Sequence, residues 1–169
     1  MKNLKPLDYV LISELVRNPK MSDREIAKIA NVSQPMISRR RSQLEKMGLL
    51  DCTAILDVRK LGFEILAITF GKSNSKEPKS KEAEPNKDFL SRHPEMVLIS
   101  SGSGLNYERV ILSVHRKYAD YSKFIRELRQ EWSKYIEEPE SFIISLQSDE
   151  ILRDFTLKHM AESITKELS

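Results

Sequence analysis

The chemistry of this chain gathers on one short segment, where Gln34, Pro35, Ser38, Arg39, Arg40, Arg41, Ser42, Gln43 and Lys46 follow one another closely. Wound as a helix at about 100° per residue with Ile37 inward, the segment brings Leu44 to the same side. Pro35, Ser38, Arg39, Ser42 and Lys46 then lie opposite. A face of small polar and basic side chains suits the edges of nucleic-acid bases. Arg donates two hydrogen bonds to the O6/N7 edge of guanine, Gln34 and Gln43 match adenine N6/N7, and Ser serves as donor or acceptor. Arg40 lies at the flank, within reach of a phosphate. Arg41 winds to the buried side, where a snorkelling stem or an ion pair is expected. Ser33 opens the segment, and Ser22, Arg24 and Lys28 just before it are placed to grip a phosphate backbone without reading sequence. The competing interpretation is a solvated basic run.

Little else in the chain suggests reactive chemistry. His93, His115, His159 and the single Cys52 have no zinc spacing. There is no Ser/His/Asp or Cys/His set, no phosphate-binding glycine loop and no pair of carboxylates at an interpretable spacing, so neither catalysis nor a cofactor or metal is expected.

The elements that must hold the basic face are legible around it. Leu7, Leu11 and Leu15 recur at helical spacing until Asn18-Pro19 stops them, giving a helix over 7–17. Ser22 with Glu25 forms a capping box that opens a short second helix through Ile26, Ala27, Ile29 and Ala30. Ser33 is the next N-cap and Pro35 sits in the first turn of a third helix, which ends at Gly48. Two short helices a few residues apart, the second basic, make a helix-turn-helix.

Beyond Gly48 the pattern changes. Residues 51–62 read as a linker strand and turn, and Phe63–Phe70 as a strand covered on both faces. Residues 72–87 read as a polar loop, and 88–93 as a short helix. Strands are expected at 96–101 and 109–115, joined through Gly102 to Glu108. A helix face of Tyr121, Ile125, Leu128, Trp132 and Tyr135 with Ile136 precedes a last strand through Phe142, Ile144 and Leu146. The order strand, helix, strand, strand, helix, strand is ferredoxin-like (βαββαβ), with one sheet face under helices and the other left for a partner. Residues 150–168 form an amphipathic helix with Leu157, Met160, Ile164 and Leu168 in line, expected to cap the open sheet, to cross to a second subunit, or to pack on its own domain. The fold class is therefore α+β: a helix-turn-helix (1–50), a linker and hinge (51–62), a ferredoxin-like domain (63–147) and a C-terminal helical extension (148–169).

Composition agrees with this division. The 169 residues are 40% hydrophobic and 31% charged, which suits a folded, well-solvated chain of one ordinary domain or two small ones. Residues 1–50 carry ten Lys and Arg against five Asp and Glu, whereas the remainder carries 18 against 20, so the net charge of +3 hides a basic end. No apolar stretch reaches the roughly 18 residues of a membrane span, and the N-terminus lacks the apolar core of a signal peptide, so a cytoplasmic location is expected.

Taken together, Leu7-Asp8, Ser22 to Ala30, Val32-Ser33, Ile37 to Glu45 through Gly48, Thr53 to Asp57 and Lys60-Leu61-Gly62 resemble the Lrp/AsnC, or feast/famine, family of transcription regulators. The resemblance implies a DNA-binding winged helix joined to a ferredoxin-like domain that dimerises through its sheet and commonly binds an amino acid between subunits. It thus implies a homodimer or higher oligomer that binds double-stranded DNA and is open to a small-molecule effector such as an amino acid. Three features depart from the family's pattern. Arg41 replaces an aliphatic residue, the 72–87 connection is long, and Gly104 is followed by Leu105, Asn106, Tyr107 and Glu108 in place of the usual nearby aspartate. Asn106 and Glu108, with Gly104 and Tyr107, remain the effector-loop residues, against the competing reading of an ordinary hairpin turn. Two rivals stand beside the regulator. One is an enzyme resembling siroheme decarboxylase subunits, in which His93, His115 and Tyr107 would be the reactive groups. The other is a protein-interaction module without DNA binding.

Overall fold

The computed structural model describes residues 4–53, 56–73, 87–133, 135–151, 153 and 156–166. The chain forms two compact units, Met1–Leu56 together with Arg153–Ser169, and Asp57–Leu152.

In the first unit α1 (Pro6–Arg17), α2 (Asp23–Ile29) and α3 (Gln34–Lys46) enclose Leu11, Leu15, Ile26, Ala27, Ile37 and Leu44. Ser22 and Glu25 form the expected capping box at the start of α2. Both α2 and α3 end in the same hydrogen-bonded motif. Val32 N–H donates to Ala27 O and Asn31 N–H to Lys28 O after α2. Leu49 N–H donates to Leu44 O and Gly48 N–H to Glu45 O after α3. The left-handed residue each motif requires is Asn31 (φ 51°) in one and Gly48 (φ 65°) in the other.

The chain's C-terminal segment belongs to this unit. A 3₁₀ turn (Lys158–Met160) leads into α6 (Ala161–Lys166), which packs on α1, and the buried Ser13 hydroxyl donates to the Ala161 carbonyl at 2.9 Å. The helix expected over 150–168 is thus much shorter, with Leu168 outside the described residues. Its contact is made by the small Ala161, 1% exposed, which lets the two helices approach. Leu157 and Met160, two members of the expected apolar stripe, stay 65% and 52% exposed.

The second unit runs β1 (Ile65–Ser73), α4 (Lys87–Arg92), β2 (Met96–Gly104), β3 (Tyr107–His115), α5 (Tyr118–Glu131) and β4 (Ile136–Ser145). Its sheet has the order β2-β3-β1-β4 with every neighbour antiparallel, the ferredoxin-like topology. Along β1 the side chains alternate, Ile65, Ala67 and Thr69 buried, Leu66, Ile68 and Phe70 half-buried. The buried set packs with Phe89, Ile111, Phe124, Leu128 and Trp132 from the helices and β3. At Gly71, where β1 bulges against β4, an added Cβ would lie 2.2 Å from Ile136 Cγ2, so no larger residue fits. On the opposite face one register row crosses all four strands, Leu98, Leu112, Ile68 and Phe142.

Several boundaries differ from the sequence-based expectation. Within the anticipated linker strand, 51–53 and 56–57 have no regular structure. Residues 58–62 form a turn because the Asp57 carboxylate and carbonyl take the N–H groups of Lys60 and Leu61. Lys72 and Ser73 extend β1 and Lys87 opens α4, while 74–86, the body of the expected loop, lie outside the described residues. The connection expected over 102–108 shrinks to Leu105-Asn106, whose φ values of 52° and 62° make a tight two-residue turn. The helix face expected to include Tyr135 and Ile136 stops at the cap Trp132, and Ile136 starts β4.

Candidate nucleic-acid interface

The three consecutive arginines of α3 have three different fates. Arg40 turns inward, its Nε donating to Asp8 Oδ1 at 2.7 Å, one Nη to Asp8 Oδ2, and the other Nη to Gln43 Oε1 at 2.7 Å. Asp8 is fully buried and also accepts the Lys5 backbone N–H at 2.7 Å. Burial alone would raise its pKa, but the hydrogen bonds from Arg40 and Lys5 hold the carboxyl below its ordinary value, and the same contact raises Arg40. Arg40, placed by winding at a phosphate, is thus committed to Asp8. Both partners were visible in the sequence, but no helical spacing links residues 32 apart.

Arg41 goes to the inner side, as its winding requires. Its Nε lies 2.7 Å from Asp23 Oδ1, an ion pair without hydrogen-bond alignment, and an Nη donates to Met21 O at 3.2 Å. It therefore ties α3 to the start of α2. Arg39 alone is exposed, and it makes no hydrogen bond or ion pair among the described residues.

Around Arg39 the structure exposes Gln34, Pro35, Ser38, Ser42, Gln43 and Lys46 on the same helix. Ser33 is the N-cap by position, but its hydroxyl makes no cap bond and stays exposed. Arg24 and Lys28 are exposed on α2. Ser22 is otherwise engaged. Its hydroxyl donates to Glu25 Oε2 at 2.6 Å and accepts from the Glu25 N–H, an arrangement that lowers the Glu25 pKa. The residue that the base-reading pattern omitted is Met36, which stands in the first turn of α3 with 48% of its surface exposed.

The residues expected to hold an effector lie at one end of the β2–β3 hairpin. Gly104 ends β2, Asn106 is the second residue of the two-residue turn, and the Tyr107 ring stacks on Phe70 at 5.8 Å. A hydrogen bond to Glu140 raises the Tyr107 pKa, while Glu108 Oε2 accepts the Ser73 N–H at 2.9 Å. His93 and His115 lie in the helix-covered core, His93 Nδ1 2.8 Å from Glu95 and His115 Nε2 2.9 Å from Ser113. Among the described residues no His, Cys, Asp and Glu group has the arrangement of a metal site, and no helix is long and apolar enough to cross a membrane.

A helix-turn-helix with an exposed, basic second helix defines a class, and comparison with known proteins agrees. Residues 4–51 match the model for winged helix-turn-helix DNA-binding domains. The chain is 31% identical over 121 residues to the uncharacterized HTH-type transcriptional regulator PF1734 of Pyrococcus furiosus, covering 71% of this chain and 78% of that protein. The crystal structure of PH0061, a protein of Pyrococcus horikoshii, superposes with a TM-score of 0.70 at 26% identity, over 92% of this chain and 99% of that one. An AsnC family transcriptional regulator from Agrobacterium tumefaciens shares the fold with a TM-score of 0.71 at 20% identity, over 93% and 99% of the two chains. The chain belongs to the HTH-type transcriptional regulators and is a DNA-binding transcription regulator, and its fold is that of the AsnC family regulators.

Proposed function

We propose that this regulator reads double-stranded DNA sequence-specifically, with α3 in the major groove and two copies of the chain joined through the open faces of their sheets. The observation that carries the groove assignment is Arg39, an unpaired guanidinium among short polar side chains on an otherwise exposed helix face. Arg39 donates to the guanine edge, Gln34 and Gln43 lie where adenine would be read, and Ser38 and Ser42 are short enough to let the helix approach. Lys28, Arg24 and Ser33 hold phosphates and set the register.

The dimer reading rests on the row Leu98, Leu112, Ile68 and Phe142. Its edge members Leu98 and Phe142 are 51% and 65% exposed, a large apolar surface for water to cover. A two-fold dimer presents two recognition helices to half-sites about one helical turn apart, so a pseudo-palindromic operator is expected.

The test is capture of genomic fragments by the purified protein at low and raised salt, followed by binding measurements on the motif recovered. Arg39→Ala should weaken that motif by about 1 to 3 kcal/mol and relax one position, whereas Lys28→Ala should weaken all sequences alike and reduce the salt slope by about 1. Unchanged operator affinity in Arg39→Ala would take α3 out of the groove.

A further inference from the structure

Helix α3 carries one large apolar side chain that the core of its unit does not use. On α3, Ile37 and Leu44 are fully buried, but Met36 is 48% exposed and stands outside the cluster built on Leu11, Ile26, Ile37 and Leu44. Met36, Arg39 and Gln43 are spaced i, i+3 and i+7 and so form one stripe, about 100° wide or less, on the surface of the helix. An unbranched thioether in the same stripe as an unpaired guanidinium has an apolar end and enough rotatable bonds to fit an irregular surface. The edges of base pairs in the major groove offer one apolar feature, the C5-methyl group of thymine.

We infer that Met36 is a specificity-determining residue, its thioether packing on a thymine methyl beside the base that Arg39 reads. The inference rests on α3 occupying the major groove. It adds a contact that the polar residues of α3 cannot supply, and it predicts an A·T pair next to the guanine position in each half-site.

The experiment uses the full chain and the operator recovered by selection with the unaltered protein. Each thymine is replaced in turn by deoxyuridine, which keeps every hydrogen-bonding group and lacks only the methyl. One position per half-site should weaken binding of the unaltered protein about fourfold, the worth of one buried methyl group. That deoxyuridine effect should vanish in Met36→Ala and persist in Met36→Leu. It is overturned if no single replacement matters, or if the effect is the same size in Met36→Ala. The two readings fail differently. If Arg39→Ala abolishes selectivity while the deoxyuridine effect ignores residue 36, the groove assignment stands and the role of Met36 falls. If the unaltered protein selects no sequence, both fall together.

Discussion

At the scale of single residues, the sequence showed which side chains stand on α3 but not what they spend their charge on. Periodicity places Arg41 inward and Arg39 outward, and the structure agrees. It says nothing of Asp8, whose carboxylate takes Arg40 from another helix and buries completely. Contacts between residues far apart in the chain depend on how helices cross, which one sequence does not carry. The pair is structural, so removing one partner leaves the other's charge stranded. Asp8→Ala should destabilise the first unit by about 2 to 3 kcal/mol, less than the about 3 to 5 of a fully buried pair because Arg40 keeps some contact with water. Urea unfolding measures this. Because the folded Asp8 pKa is lowered, its contribution is present above the ordinary carboxylate range and is lost as the pH falls through it.

At the scale of elements, most of the architecture was legible. Capping residues, prolines and alternation located the helices and strands, and the errors fall where a partner element decides the boundary. The β2–β3 hairpin is longer than local pattern suggests because the two strands keep pairing through polar residues to a two-residue turn. The winding of α5 cannot reveal that Ile136 is claimed by β4. The packing of α5 also fixes His115, which is buried on β3 against Tyr121 and Phe124 at 5.5 and 5.2 Å. Burial lowers its pKa, with Glu95 and Asp120 opposing and His93 reinforcing the shift. An unfolded histidine takes its proton near about 6.5, so the stabilising contribution of the neutral ring is whole above that value and is lost as the pH falls toward the lower folded value. Urea midpoints measured from pH 7.5 down to 5 should therefore fall more steeply for the unaltered protein than for His115→Gln. Equal slopes would mean that the ring is already free to charge in the folded state.

At the scale of the molecule, the alternating pattern of the sheet shows an unpartnered face but not what meets it. If a second copy does, charge in the row Leu98, Leu112, Ile68 and Phe142 should separate the subunits without unfolding them. Phe142→Glu is the mildest such change, since Phe142 is mostly exposed within its own chain. Sedimentation should show the mass halved at unchanged circular dichroism, with operator binding weakened because two half-sites are no longer held together. A mass that stays the same would place the interface elsewhere.

The Ser13–Ala161 contact reaches further than stability. A polypeptide is made from its N-terminus, so α1 leaves the ribosome early, yet the carbonyl that satisfies its buried hydroxyl is synthesised only after the whole sheet domain. The first unit is therefore begun before the sheet unit and closed after it. A translation product that stops anywhere before residue 161 carries α3 without that contact, and an isolated N-terminal fragment is a different object from the same residues in the longer chain.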